Sequence, residues 1–419
     1  MLHSLVKYWL FALPIPFLWA DLATSSKVLE ASGLLSFEEA SVLTLSRSPR
    51  LESSRWNVRI KEASAIGAAA LPNPELTLDV ENAFGSSEFR DLDAAEKTLS
   101  LGQRIETAGK RRKRIDLANQ GIEVANLEQG IEQFRVLNAM AKSYYETVAA
   151  QRSAAFSQES LEMQQRVSLA QQERLKAGKI SEAEVESGKA ALAVAEIEAE
   201  AARVKFDLAR RQLAAHWGSS EPAFREVVAS LDTVEPPDEE SYLRDLQSSP
   251  FLEYASSVVE ERDRSLNLER AKRISDITAG IGGRRFEATG DEALVFQVSV
   301  PIPLFDRNRG NIEIAQAEAA KARAERERAI MDLKFRISET YESLAAAHRE
   351  AEAISQYVIP SAERGYNYAN EGYLLGKYSY IELKAAQSVL LESRQKLIDA
   401  QLRFHKSFAD LNTLLGHDL

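Results

Sequence analysis

The chain has no cysteine among its 419 residues. Disulfides, thiolate metal centres and a lipidated amino-terminal cysteine are therefore excluded. Glycine and proline are scarce, at 19 and 12, which argues against collagen-like repeats and long disordered tracts. After Ala20 no apolar run is long enough to cross a bilayer as a helix, so any membrane insertion has to use β-strands. Positive charge is short as well. A formal net charge of -11 speaks against a nucleic-acid binder, because attraction to phosphates needs clustered Lys and Arg. One short basic cluster stands out, Lys110-Arg111-Arg112-Lys113-Arg114, at the expected start of a long helix. A solvated or interfacial face is its simplest reading, ahead of an anion site.

What is present begins with an export signal. Lys7 precedes an apolar stretch from Tyr8 to Trp19, and Ala20 is a small residue suited to cleavage, so residues 1–20 read as a signal peptide. The stretch is short for a membrane-spanning helix, a retained anchor being the alternative.

The remainder is one unit written twice. Ser48-Pro49-Arg50-Leu51 recurs as Ser249-Pro250-Phe251-Leu252, and Leu76-Thr77-Leu78 falls at the same offset on Ile277-Thr278-Ala279. Leu175 to Ser181 aligns with Tyr373 to Ser379, and Leu213 to Gly218 with Leu411 to Gly416. Residues 21–218 form the first copy and residues 242–416 the second. The join, residues 219–241, carries Pro222, Pro236 and Pro237 and reads as a linker. In each copy the expected order is helix, two strands, a very long helix, a glycine turn and a returning helix.

The returning helices keep a strict seven-residue period: Val185, Leu192, Ala199, Phe206 and Leu213 in one, Leu383, Leu390, Leu397, Phe404 and Leu411 in the other. Small residues occupy the partner positions, among them Gly188, Ala195, Ala386 and Ala400. The long helices are expected to follow suit through Leu127, Phe134, Ala141, Val148 and Ala155, and through Ile330, Ile337, Leu344, Ala351 and Val358. Such a period winds helices into a left-handed supercoil. From Lys110 to Lys176 there is no proline, and an unbroken helix would span roughly 100 Å at 1.5 Å per residue. Arg309 to Leu374 is similar, interrupted only by Pro360.

Leu76, Leu78 and Val80 alternate with Thr77, Asp79 and Glu81, and Leu294, Phe296, Val298, Val300 and Ile302 alternate with smaller or polar residues. Period two makes one apolar and one polar sheet face, either in a half-buried soluble sheet or in a membrane. In a membrane, four strands cannot suffice, since an open edge in hydrocarbon leaves backbone groups unsatisfied. Two chains would bring eight strands and three would bring twelve; side chains fill a barrel of eight, so three chains suit a conduit better.

Signal, duplicated strand pairs, heptad hairpins and paired glycine turns together resemble the TolC-like outer-membrane efflux factors, over essentially the whole mature chain. Val300-Pro301-Ile302-Pro303-Leu304-Phe305-Asp306-Arg307-Asn308-Arg309-Gly310 resembles the strand-to-helix junction of the heavy-metal branch of that family, the cobalt–zinc–cadmium type. Leu101 to Arg111 fits as its first-copy counterpart. Asp306 or Asn308 is suited to cap the following helix. The resemblance implies a mainly α fold with transmembrane β: a homotrimer whose twelve-stranded barrel, set in outer-membrane lipid, continues into a twelve-helix tunnel reaching into the periplasm. It implies a passive exit duct for heavy-metal cations, or alternatively for drugs or secreted proteins. The partners implied are a periplasmic adaptor and an inner-membrane resistance-nodulation-division pump, with no cofactor. At the periplasmic entrance it places Glu184, Tyr373, Tyr378 and Glu382, with Tyr373 in position to tie to Glu184. The adaptor-contacting turns would be Gly178, Ile180 and Ser181, and Gly376, Lys377 and Ser379.

Rival readings fare worse. An enzyme lacks support, because His216, His348, His405 and His417 are scattered without metal-ligand spacing. Gly280-Ile281-Gly282-Gly283 lacks the Lys-Ser/Thr and helix of a phosphate loop. A coiled-coil adaptor would carry one hairpin, not two. Selectivity for metals is not expected in this chain, since it offers no soft ligand cluster.

Overall fold

The computed structural model describes residues 33–417. The expected signal peptide, residues 1–20, lies outside them. The described chain forms two compact units, one taking residues up to Ser53, Gly130–Pro250 and Asp332 onward, the other Ser54–Gln129 and Phe251–Met331. Each unit draws on both sequence copies.

The second of these units holds a four-stranded antiparallel sheet. Its strands are β2 (Glu75–Glu81), β3 (Glu96–Ile105), β5 (Ile277–Phe286) and β6 (Glu292–Ser299), in that spatial order. Strands β3 and β5 join the two copies through ten residue pairs, from Glu96↔Phe286 to Ile105↔Ile277. Among the described residues β2 and β6 are paired on one side only. Pro301 and Pro303 follow directly on β6; without an N–H they cannot extend the ladder. The same unit contains most of α2 (Pro49–Ala69), α6 (Pro250–Lys272) and the first parts of α3 (Lys110–Lys176) and α7 (Arg309–Ala353).

The basic cluster at the start of α3 proves to be a joint, the interfacial arm of its expected reading, with Arg111 and Arg112 still exposed. Lys110 is buried and pairs with Asp276 at 2.6 Å. Arg111 donates to the carbonyl of Ala69 at 3.0 Å, and Arg114 to those of Ala68 and Ala70 at 2.8 and 2.9 Å. Those carbonyls close α2, where helix geometry leaves acceptors unmet and the macrodipole favours cations. At the equivalent junction before α7, Asp306 accepts from the Asn308 backbone N–H at 2.8 Å, while Asn308 takes a positive φ of 57° and donates to the Glu269 carbonyl.

In the other unit, β1 (Leu34–Ser36) runs parallel to β4 (Glu226–Val228), flanked by α1 (Phe37–Arg47) and α5 (Glu239–Arg244). The Tyr144 hydroxyl on α3 lies 2.9 Å from the carbonyls of both Leu35 and Val228. Leu35, Met140, Tyr144, Leu213, Phe224 and Leu231 form the core here. Part of the proline-bearing join is thus packed: Phe224, Val227 and Leu231 are all buried.

The hairpin helices α4 (Glu182–Ala215), α8 (Ile359–Leu374) and α9 (Tyr380–Leu415) complete this unit. Val185 and Leu213 on α4 are buried, as are Leu383, Leu390, Phe404 and Leu411 on α9, in keeping with the heptads. The long helices depart from the expected stripe in two places. On α3, Ala155 is exposed, and the buried line passes instead to Ser160, Gln164, Ser168 and Gln171. After α7 a π turn, Ile354–Val358, inserts one residue, so Val358 is 42% exposed and burial resumes at Ala362 and Ala369. Pro360 explains the turn, because it removes a helical donor and crowds the preceding turn, which a wider loop accommodates.

Candidate functional site

The strand register sorts every sheet residue onto one of two faces. Leu76, Leu101, Ile281 and Phe296 stand in one row across all four strands, and Leu78, Leu99, Gly283 and Leu294 in the next. This face is apolar and uncovered: Leu76 is 71% exposed, Leu294 73% and Phe296 74%. Its charged boundary is the row Val80, Lys97, Arg285 and Glu292. The opposite face carries Thr77, Asp79, Glu81, Glu96, Thr98, Ser100 and Arg284. There Arg284 bridges Glu96 at 2.7 Å, Thr98 at 2.8 Å and Glu81 at 3.0 Å, tying three strands. A bare apolar patch of this extent on one face suits lipid, and the polar face suits water. No helix among the described residues is long and apolar enough to cross a membrane.

The second site is the end of the helical hairpins. Gly178 and Gly376 take positive φ of 66° and 76°, which lets α3 and α8 stop with a left-handed residue at no Cβ penalty. The backbone N–H of Lys179 donates to Arg174 at 2.9 Å and that of Lys377 to Gly372 at 2.8 Å, closing each turn. Ser181 and Ser379 then cap α4 and α9, accepting from the N–H groups of Glu184 and Glu382 at 3.3 Å. Gly178, Ser181, Gly376, Lys377, Tyr378 and Ser379 are exposed, and Ile180 is half-buried.

Two carboxylates at matching positions of the two copies have different partners. Glu382 folds back on its own cap, accepting from the Ser379 N–H at 2.7 Å and hydroxyl at 2.9 Å. The Ser379 N–H, and then its hydroxyl, hold this carboxyl below its usual range. Glu184 instead accepts from the Tyr373 hydroxyl at 2.9 Å, a contact between residues 189 positions apart. The Arg174 guanidinium lies 4.4 Å from the centre of the Tyr373 ring and also donates to the Tyr373 carbonyl. Arg174 was absent from the sequence-derived site; its position before the first turn carries no periodic signal. Tyr378 turns its ring onto Gly372, so closely that a Cβ there would stand 2.0 Å from it.

Buried glutamines are the other feature that sequence patterns missed. Gln171 lies against Gly188, and both amide atoms of Gln164 are buried without a hydrogen-bond partner. Gln151, higher on the same helix, has both ends satisfied by the backbone of Val227, at 2.9 and 3.2 Å. An unmet buried amide costs about 1–3 kcal/mol.

Burial pushes the Tyr373 phenol up, and its bond to the Glu184 carboxylate adds to this, to about 12. Since the native value exceeds the ordinary phenol value near 10, the tie contributes fully below about pH 10 and is lost as pH rises through about 12. Phenolate absorbance should therefore include a late-ionising component that Tyr373→Phe removes. A Tyr373→Phe titration curve superimposable on the wild type, after scaling for one tyrosine, would show the tie absent in solution.

Three histidines make local contacts. His216 meets Ser143 at 2.9 Å, His348 meets Thr233 at 2.9 Å, and His405 stacks on Tyr145 at 4.1 Å. Among the described residues no three His, Cys, Asp or Glu are grouped to hold a metal ion.

The chain is 27% identical over 388 residues to the cobalt-zinc-cadmium resistance protein CzcC of Cupriavidus metallidurans, covering 92% of this chain and 91% of the relative. It is 28% identical over 283 residues to the nickel and cobalt resistance protein CnrC of the same organism, covering 67% and 66% respectively. The crystal structure of the outer membrane protein VceC from Vibrio cholerae superposes with a TM-score of 0.76 at 20% identity, covering 91% of this chain and 96% of that one. A family model for outer membrane efflux proteins matches residues 40–219 and again 244–417. Bare apolar sheet face, heptad hairpins and two matches that take in most of the sequence converge, and the chain belongs to the outer membrane efflux protein family.

Proposed function

We propose that three copies of this chain close one twelve-stranded barrel in the outer membrane and release heavy-metal cations through it. The observation that carries this reading is the sheet, apolar and bare on one face and, among the described residues, unpaired along the outer edges of β2 and β6. Each unpaired backbone group left in hydrocarbon would cost several kcal/mol, so closure with further copies is the stable solution. The chain is a conduit; transport is driven by an inner-membrane pump and reaches the duct through a periplasmic adaptor. The exposed turns around Gly178 and Gly376 suit the adaptor contact, and Glu184, Tyr373, Tyr378 and Glu382 would border the entrance. The metal cargo is supported by the names of the relatives, which confer resistance to cobalt, zinc, cadmium and nickel.

Purified chain in detergent should have the mass of a trimer. Deleting its gene should lower tolerance to at least one of zinc, cobalt, nickel and cadmium, with restoration by the intact gene. Unchanged metal tolerance with new drug sensitivity would overturn the cargo, and a monomeric mass would overturn the closure.

A further inference from the structure

We infer that the apolar segment leaving β6 seats on the α2–β2 junction of a neighbouring copy, forming a hydrophobic seam below the barrel. This rests on the closed-trimer reading and names the surfaces that close it. Strand direction sets the neighbours. In the sheet order β2-β3-β5-β6 every pair is antiparallel, so β6 of one copy meets β2 of the next antiparallel as well. The end of β6 at Ser299 therefore comes beside the start of β2 at Glu75. Face matching narrows the register. Apolar positions are even-numbered on both edges, Leu76 and Leu78 on β2 and Leu294, Phe296 and Val298 on β6. Pairing must set even against even, because a one-residue slip would turn Asp79 and Glu81 onto the apolar face.

The segments just beyond these strand ends are both apolar and, among the described residues, left exposed. After β6, Leu304 is 65% exposed, Phe305 100% and Ile314, on α7, 59%. Before β2, Ile60 and Ile66 on α2 are 61% and 76% exposed, and Leu71 67%. Lipid is the poorer occupant for Leu304 and Phe305, since the irregular backbone around Pro301 and Pro303 would carry unsatisfied groups into hydrocarbon. A second copy presents complementary apolar surface at the right end of the right strand.

The absence of native cysteine gives a clean test. Leu71→Cys combined with Phe305→Cys in the full chain, treated in detergent with a short bis-maleimide, should convert most chains to covalent dimers and trimers. Either single variant should give none. Ile66→Cys with Ile314→Cys is the second pair, should the first disturb folding. Trimeric particles that yield no ladder with either pair would overturn the seam while leaving the trimer standing. A monomeric wild-type particle would instead remove the trimer reading, and the seam with it.

Discussion

Phe296→Arg should abolish recovery of the protein from the outer membrane, whereas Gln297→Arg, one residue further along the same strand, should leave it nearly unchanged. Phe296 lies on the apolar face in line with Leu76, Leu101 and Ile281, and is 74% exposed. Gln297 points to the polar face, in line with Gly280, Gly102 and Glu75. An Arg on the lipid face of a barrel costs about 2–4 kcal/mol near the midplane, and a closed trimer would bear three of them. That sum rivals the whole stability of an ordinary domain. Quantitative blotting of fractionated membranes decides the matter. Equal recovery of the two variants would mean that the apolar face does not meet lipid.

Gly282→Val is the second substitution with a large expected effect, and it acts through the backbone. Gly282 lies in β5 opposite Ser100 of β3, at the seam where the two sequence copies pair. A Cβ at this position would come within 2.5 Å of the Leu99 carbonyl oxygen and 2.8 Å of the Ser100 Cα. Those are main-chain atoms that cannot swing aside, so the strands must separate. Loss of local pairing plus overpacking should cost about 3 kcal/mol or more. The Gly283→Ala control adds a Cβ with nothing within 4 Å. The expected result is that the proposed trimer dissociates on mild heating in detergent for Gly282→Val and resists it for Gly283→Ala. Identical dissociation temperatures for the two would show that β3 and β5 do not pair as described.

The glycine cluster shows how far the sequence reads by itself. Gly280-Ile281-Gly282-Gly283 has the glycine spacing of a loop motif but no following Lys-Ser/Thr. Why Gly280 and Gly282 are there follows only from the close approach of β3, a partner far along the chain. The same division holds at the hairpin ends. Glycine turns and N-cap serines are local signals, legible because each concerns a few adjacent residues. Whether a carboxylate closes its own cap or reaches a distant partner is not local. Glu184 and Glu382 occupy equivalent places, yet one reaches Tyr373 and the other closes its own capping box.

By itself, then, the sequence determined the duplication, the order of the main strands and long helices in each copy, the heptad and alternating periods, and the exclusion of disulfides and of helical membrane spans after Ala20. Each of these is a property of spacing along one strand or helix. The tertiary structure alone decided the phase and partnership of those patterns. It moved the buried stripe of α3 off Ala155, and it shifted burial by one residue after the π turn at Ile354–Val358. It also placed Arg284 between Glu81 and Glu96, and set Arg174 against Tyr373. A period of seven or of two states how often a side chain returns to a face. Only packing against chain segments distant in sequence settles which face it is and what it meets there.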